Sequence, residues 1–120
     1  MFGFQKLEIY HLAKEIVKYN YTLTKGFPDE ERFALAQQMN RAAVSVPSNI
    51  AEGVSRRTIK DKLHFISISY GSLMELTCQM EIAHELGYID KEKYSSYLAL
   101  ARNLSVKLSN YKNALDKKDN

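Results

Sequence analysis

The longest uninterrupted helical pattern of the chain decides its fold, and over residues 58–86 it is TIKDKLHFISISYGSLMELTCQMEIAHEL. Thr58 is suited to cap its start, because Asp61 lies three residues further on, as in a capping box. Gly87 is suited to end it, since glycine tolerates the left-handed backbone found at helix C-termini. At about 1.5 Å per residue, the segment predicts a third helix roughly 40 Å long.

Two helical patterns precede this segment. The first runs from about Lys6 to Thr24, with apolar residues at helical spacing. The second begins near Pro28 and ends at Gly53. It contains Pro47, which has no backbone N–H and crowds the preceding turn, so a kink is predicted at Val46-Pro47.

A fourth pattern follows it. It begins with Asp90 as the cap, continues to about Leu115 and is predicted to fray over Asp116–Asn120. Four helices with short connections favour an all-α fold, an antiparallel up-down-up-down four-helix bundle. A length of 120 residues predicts a single domain, residues 1–120.

Composition narrows the class of protein. With 45% apolar and 26% charged residues, the chain has the balance of a folded globular protein rather than a disordered one. No run is apolar enough to predict a membrane span. The single cysteine, Cys78, has no partner for an intrachain disulfide; we expect it to be a small core residue in a cytoplasmic protein. A net charge of +3 permits contact with nucleic acid but does not require it.

The third helix is apolar on two sides, which one bundle core does not require. One stripe comprises Leu63, Ile66, Tyr70, Leu73, Met74 and Met80, and another side carries Phe65, Ile68, Leu76, Ala83 and Leu86. A helix that is apolar on two sides is usually buried on two sides. The pattern therefore predicts self-association; the alternative is a wide core with some exposed apolar residues.

A polar stripe crosses the second helix at spacings of four, four and three residues, which place side chains on one face. It consists of Arg41, Ser45, Asn49 and Glu52. An antiparallel third helix brings Glu75 to the height of Arg41, and we expect the two to pair. We interpret this set as a structural polar network; a ligand or catalytic site is the alternative.

Basic residues cluster at the turn between the second and third helices. They are Arg56, Arg57, Lys60 and Lys62. They are the candidate nucleic-acid-binding residues, because phosphate contacts need cations but no fixed motif. A solvated loop is the alternative interpretation. A second group, Lys112, Lys117 and Lys118, is expected at the opposite end of the bundle.

Two Glu-x-x-His segments, at residues 8–11 and 81–84, are the only hint of a metal site. Ferritin-like bundles bind two metal ions through such pairs. Here the first and third helices run parallel, so the pairs are separated by on the order of 25 Å. We therefore predict no metal site, no cofactor, no catalytic residue and no small-molecule substrate.

Three stretches resemble one known family. RAAVSVPSNIAEG at residues 41–53 is similar to the signature of the 23S ribosomal RNA intervening-sequence protein family. GSL at 71–73, EIA at 81–83 and LGY at 86–88, with Glu75, Thr77 and Gln79 between them, match the second half of that pattern. LEIY at 7–10 resembles its start, although many members carry Trp where Tyr10 stands.

The resemblance implies four antiparallel helices that assemble as a homopentamer. Some members are encoded inside insertions in 23S ribosomal RNA genes. Related proteins are accessory factors beside the reverse transcriptases of diversity-generating retroelements, where they hold RNA or a ribonucleoprotein partner. The resemblance supplies no catalytic residue.

Taken together, the residues and the resemblance predict a non-enzymatic, homo-oligomeric helical bundle. Its expected partners are further copies of itself and RNA or a ribonucleoprotein, bound at the basic turn, with no membrane. The alternative is a protein-interaction scaffold without a nucleic-acid role, in which the surface cations serve solubility alone.

Overall fold

A computed structural model describes residues 1–119. It contains four helices: α1 (Glu8–Thr24), α2 (Leu35–Val54), α3 (Ile59–Glu85) and α4 (Lys91–Asp119). Two short 3-10 turns, Gly3–Lys6 and Asp29–Glu31, precede α1 and α2. No strand occurs in these residues, so the predicted all-α class is confirmed.

The helices form an antiparallel bundle. Each packs on the next in the chain, and α4 returns to α1. Lys107 Nζ donates to Glu8 Oε1 at 2.8 Å, and Tyr19 Oη donates to the Lys93 carbonyl at 3.1 Å. These contacts join the late part of α4 to the start of α1, and the start of α4 to the end of α1. The two helices therefore run in opposite directions, as the up-down-up-down prediction requires.

All four helices contribute to one apolar core along the 48 Å axis of the molecule. Its largest fully buried side chains are Ile16, Met39, Val46, Ile50, Ile66, Leu73, Leu76, Met80, Tyr97, Leu104 and Leu108. Removing such side chains from water is the main favourable contribution to folding.

The second helix begins later than the sequence predicts. Asp29–Glu31 is a 3-10 turn, and Ala34 has a non-helical backbone (φ −122°, ψ −107°) directly before α2. The reason is tertiary, because the Tyr88 hydroxyl donates to Glu31 Oε2 at 2.7 Å and the Phe27 ring packs 5.2 Å from the Tyr88 ring. These contacts hold the segment against the bundle, so a start near Pro28 is wrong.

The capping predictions for the two long helices are correct. Thr58 Oγ1 accepts from the Asp61 N–H at 3.1 Å, and Asp90 Oδ1 accepts from the Lys93 N–H at 2.8 Å. Gly87 ends α3 at φ +82°, a left-handed conformation that favours glycine. At the other end, α4 stays helical through Asp119 instead of fraying; Asn120 lies outside the described residues.

Helix α2 is continuous across Pro47, which is buried. The kink predicted at Val46-Pro47 remains a prediction. The neighbouring carbonyl of Val46 accepts a hydrogen bond from Ser69 Oγ on α3 at 2.8 Å. This bond ties α2, one residue before Pro47, to its partner helix.

Candidate nucleic-acid interface

Two of the predicted basic residues are held by contacts within the chain. Arg56 Nη2 donates to Glu52 Oε1 at 2.6 Å, and its guanidinium lies 4.6 Å from the centre of the Phe65 ring. Lys62 Nζ donates to the Val54 carbonyl at 2.9 Å, which satisfies an acceptor at the C-terminus of α2. Both side chains therefore have a structural role in the turn between α2 and α3.

The other two basic residues are free. Arg57 and Lys60 are exposed, and neither forms a hydrogen bond or ion pair with the rest of residues 1–119. They are therefore available to phosphate groups without breaking a contact of the fold.

The lysines of α4 lie at the same end as this turn. Lys112 lines a small cavity together with Ile66 and Tyr70 of the first half of α3. Because α4 runs antiparallel to α3, Lys117 and Lys118 lie one to two turns further on, level with the start of α3. The expectation that these lysines lie at the opposite end is wrong. In an up-down-up-down bundle, the turn between the second and third helices shares its end with both chain termini.

The two ends of the bundle consequently differ in charge. We define the basic end as Arg57, Lys60, Lys112, Lys117 and Lys118, which outnumber the carboxylates Asp61 and Asp116 among them. At the other end, the α1–α2 and α3–α4 connections carry more carboxylates than cations: Asp29, Glu30, Glu31, Glu85, Asp90 and Glu92 against Lys25, Arg32, Lys91 and Lys93. A polyanion is attracted to one end and repelled by the other.

The polar stripe of α2 is only partly assembled. Ser45 Oγ lies 2.8 Å from Ser72 Oγ, and Asn49 Nδ2 donates to the Ser45 hydroxyl at 2.9 Å and to its carbonyl at 2.8 Å. Sequence reasoning missed Ser72 and Ser69; the available signal was their spacing of three residues on the side of α3 that meets α2. These bonds set how α2 and α3 pack.

The charged members of the predicted network lie apart from it. Glu52 pairs with Arg56, and Glu75 Oε2 accepts from Gln79 Nε2 at 3.3 Å. Arg41 is exposed and forms no hydrogen bond or ion pair within residues 1–119. The expected Arg41–Glu75 pair is therefore not formed within the chain.

A groove follows the outer face of α1 and α2. A cavity of about 660 Å³ and another of about 330 Å³ share Val44 and Ser48 in their walls, so they form one continuous surface, the α1–α2 groove. Its aromatic walls are Phe4, Tyr10, Tyr21 and Phe33, and its cations are Lys14, Lys18, Arg32 and Arg41. No carboxylate lines it among the described residues.

A second uncovered surface lies on α3. The α3 outer stripe comprises His64, Ile68, Gly71, Glu75, Cys78 and Ile82, all exposed and spaced by three or four residues. The expectation that Cys78 is a core residue is wrong, because the core side of α3 is occupied by Leu73, Leu76 and Met80.

The Glu-x-x-His segments have structural contacts. His11 Nε2 lies 2.7 Å from the Gln5 carbonyl, and Glu8 accepts from Lys107. His84 Nδ1 lies 3.0 Å from the Ile89 carbonyl, and its ring stacks on Tyr94 at 4.8 Å. Within residues 1–119, no group of three His, Cys, Asp or Glu side chains is placed to hold a metal ion.

The helices were also compared with the requirements for a membrane-spanning segment. Across residues 1–119, none of the helices combines the length and the hydropathy that a membrane-spanning segment requires.

Comparison with known proteins identifies one family. The family model described as 23S rRNA-intervening sequence protein matches residues 5–110. A crystal structure of a protein of unknown function from the S23 ribosomal protein family of Bacteroides thetaiotaomicron is similar, with a TM-score of 0.80 and 20% sequence identity. The match covers 87% of this chain and 97% of that chain, and at this identity it shows the fold alone. Among curated proteins there is no match.

Proposed function

We propose that this chain, which belongs to the 23S rRNA-intervening sequence protein family, is a cytoplasmic, non-catalytic bundle that self-assembles and binds RNA through its basic end. The observation that carries the RNA role is the position of its free cations. Arg57 and Lys60 are exposed and unpaired within the described chain, and the lysines of α4 lie at the same end.

Electrostatics favours a multivalent binder over a single copy. One chain carries a net charge of +3, which is modest for a protein that binds nucleic acid. A pentamer, the state that the family resemblance predicts, carries roughly +15. If the copies align, their basic ends form one surface, and the many phosphate contacts produce a steep salt dependence.

The basic end suits backbone recognition rather than base reading. Its free side chains are Arg and Lys, which contact phosphate groups in any sequence. The ring of Phe65, close to this turn, already lies under Arg56. We therefore expect RNA to be selected by shape and charge density, with little dependence on base sequence.

The test is fluorescence anisotropy of a labelled structured RNA, titrated at low and at physiological salt. Arg57→Glu/Lys60→Glu reverses two charges at the basic end. The matched control, Lys91→Glu/Lys93→Glu, makes the same charge change at the other end, where both side chains are exposed. A third variant, Lys117→Glu/Lys118→Glu, tests whether the end of α4 shares the surface.

We expect wild-type affinity to fall steeply with salt. The variants at the basic end should lose affinity, and their dependence of log K on log salt should become shallower by about 0.7–0.9 per lost phosphate contact. The control should behave as wild type. An equal loss in the control would show an effect of net charge alone, and absence of binding at low salt would remove the RNA role.

A protein-interaction scaffold without a nucleic-acid role is the second candidate. The observation that favours it is the α1–α2 groove, whose Phe33 side chain is 77% exposed at its rim. Exposed apolar surface of this kind marks contacts with other proteins. If the titration shows no RNA binding at low salt, the protein-interaction scaffold becomes the favoured function.

A further inference from the structure

We infer that the α3 outer stripe of one copy sits in the α1–α2 groove of the next, with Arg41 paired to Glu75 of the neighbouring copy. This inference rests on the self-assembly proposed above and names the two surfaces that meet. It makes the contact heterologous, since different faces of the two copies come together.

Charge complementarity supports a second copy as the occupant. The groove carries Lys14, Lys18, Arg32 and Arg41 and no carboxylate. From Leu63 to Ile89, the chain carries Glu75, Glu81 and Glu85 and neither lysine nor arginine. The α3 outer stripe carries Glu75 and neither lysine nor arginine, so it matches the basic groove of the same chain in sign.

The unpaired charges lie at the same height. Ser45 and Ser72 are in contact across α2 and α3, at 2.8 Å. Arg41 lies four residues before Ser45 on α2, and Glu75 lies three residues after Ser72 on the antiparallel α3. Both are therefore about one helical turn from that contact, in the same direction.

Equal height has a consequence for symmetry. Rotation about an axis parallel to the bundle moves a copy sideways without changing heights, so it brings Arg41 of one copy level with Glu75 of the next. The same rotation keeps every basic end on one side of the assembly. An antiparallel two-fold dimer would instead place the basic ends on opposite sides.

Gly71 provides an independent indication. It lies in the middle of a 27-residue helix, where glycine is less favourable than alanine. A Cβ atom added there meets nothing within 4 Å, so packing within the chain does not explain the glycine. Close approach of a neighbouring backbone or side chain does explain it, and Ile68 and Ile82, exposed above and below it, supply the apolar contact.

Single-stranded RNA is the competing occupant, because cations with aromatic residues also suit nucleic acid. Two observations favour the second copy. The outer stripe needs cover of its own, and Glu75 has no cationic partner among residues 1–119. RNA in the groove would leave both unexplained.

The test is sedimentation velocity across a range of concentrations. Arg41→Glu and Glu75→Arg should each raise the concentration of half-assembly by about tenfold or more, since each places like charges together. Arg102→Glu and Glu92→Arg, at exposed positions on α4, are matched controls and should assemble as wild type.

Mixing the two single variants is the decisive step. The Arg41→Glu variant carries a glutamate at both positions 41 and 75, and the Glu75→Arg variant carries an arginine at both. Every contact between unlike copies therefore joins opposite charges. A ring of five copies contains at least one contact between like copies, so the mixture should assemble at a lower concentration than either single variant but not as readily as wild type. The double variant, in which every contact is reversed, should assemble as wild type. A mixture that assembles no better than either single variant, beside a double variant that recovers, would place the pair within one chain and overturn the inference.

A further variant keeps the test independent of charge. Gly71→Gln removes no contact within the chain, so it should fold normally by circular dichroism and assemble poorly. Wild-type assembly in this variant would contradict the interface. Wild-type protein that stays monomeric would overturn both self-assembly and this inference, whereas the effect of Arg57→Glu/Lys60→Glu on RNA binding would still decide the RNA role.

RNA also distinguishes the occupants. If Arg41→Glu weakens RNA binding while assembly stays unchanged, the groove binds RNA and the inference is wrong. If Arg41→Glu abolishes assembly and RNA binding falls with it, the multivalent arrangement of basic ends is supported.

Discussion

Two sides of α3 carry similar residues but differ in what covers them. On the inner sides, Leu73 and Leu76 are fully buried, and Ser69 and Ser72 bond to α2. On the outer stripe, Ile68 and Ile82 are 38% and 41% exposed. The inner sides are completed by the chain itself. The outer stripe resembles a helix surface that another molecule completes.

The two glycines that flank these surfaces show the same contrast. At Gly53, a Cβ atom would lie 3.0 Å from Phe65 Cβ and 3.3 Å from the Lys62 carbonyl, so α2 and α3 require glycine to approach each other. At Gly71, nothing lies within 4 Å. One glycine has its reason within the chain, and the other has none there. The proposed contact between copies would supply the reason that Gly71 lacks within the chain.

Truncating an aliphatic side chain on each side should produce the largest difference. Leu76→Ala should lower the free energy of unfolding by about 2–5 kcal/mol, because it leaves a cavity in the core. Ile82→Ala should change it by less than about 0.5 kcal/mol, because the side chain is partly solvated. Urea unfolding in the Arg41→Glu background, expected to be monomeric, measures both without a contribution from assembly.

In assembly, the substitution on the outer stripe should have the larger effect. Ile82→Ala should weaken association in sedimentation velocity, with the chain still fully folded. Equal destabilisation of the isolated chain by the two substitutions would show that the outer stripe is packed internally, and the contrast between the two sides would disappear.

We expect the free energy of unfolding to depend on pH through a tyrosine buried between α3 and α4. Tyr97 is buried, its hydroxyl lies 2.8 Å from Thr77 Oγ1, and burial raises the pKa of Tyr97 to about 12. The unfolded tyrosine, with a pKa of about 10, loses its proton first. Stability from this group is therefore complete below about pH 10 and is lost as pH rises toward 12, by on the order of 2 kcal/mol.

The measurement is urea unfolding of wild type and Tyr97→Phe between about pH 9 and 11. The phenylalanine variant lacks the titrating group, so its stability should fall less steeply than that of wild type. Parallel curves would show that Tyr97 does not couple folding to pH.

Replacing each glycine by alanine should have the smallest effects, with opposite signs. Gly53→Ala should destabilise by at least about 1 kcal/mol, since the added methyl crowds Phe65 and the α3 backbone. Gly71→Ala should stabilise the isolated chain by roughly 0.5–1 kcal/mol, because alanine has less conformational freedom to lose in a helix. Thermal unfolding of both variants in the Arg41→Glu background tests the pair. Destabilisation by Gly71→Ala would contradict the open surface.

Local sequence signals predicted the fold well. The caps at Thr58 and Asp90 and the stop at Gly87 are as expected, because each depends on bonds within a few residues. The predicted start of α2 was wrong, because the observed start depends on the Tyr88–Glu31 bond, which joins residues far apart in the chain. Periodicity cannot report such a contact.

The candidate site was less predictable. The basic cluster was recognised as a set, but sequence alone did not show that Arg56 and Lys62 are held by Glu52 and Val54. It placed the lysines of α4 at the wrong end, although the predicted up-down-up-down topology already puts the C-terminus at the same end as the turn between α2 and α3. The α1–α2 groove was missed entirely, since its walls come from separate helices and no single periodic pattern contains them.

The sequence by itself determined four helices, their caps and the presence of more apolar surface on α3 than one core requires. These properties follow from backbone hydrogen bonding and side-chain periodicity, which are local. Only the tertiary structure decided which charges remain free, and that Arg41 and Glu75, whose equal height the sequence predicted, do not pair in one chain. Those properties depend on the packing of helices against one another, because burial and pairing are relations between residues that the chain order does not bring together.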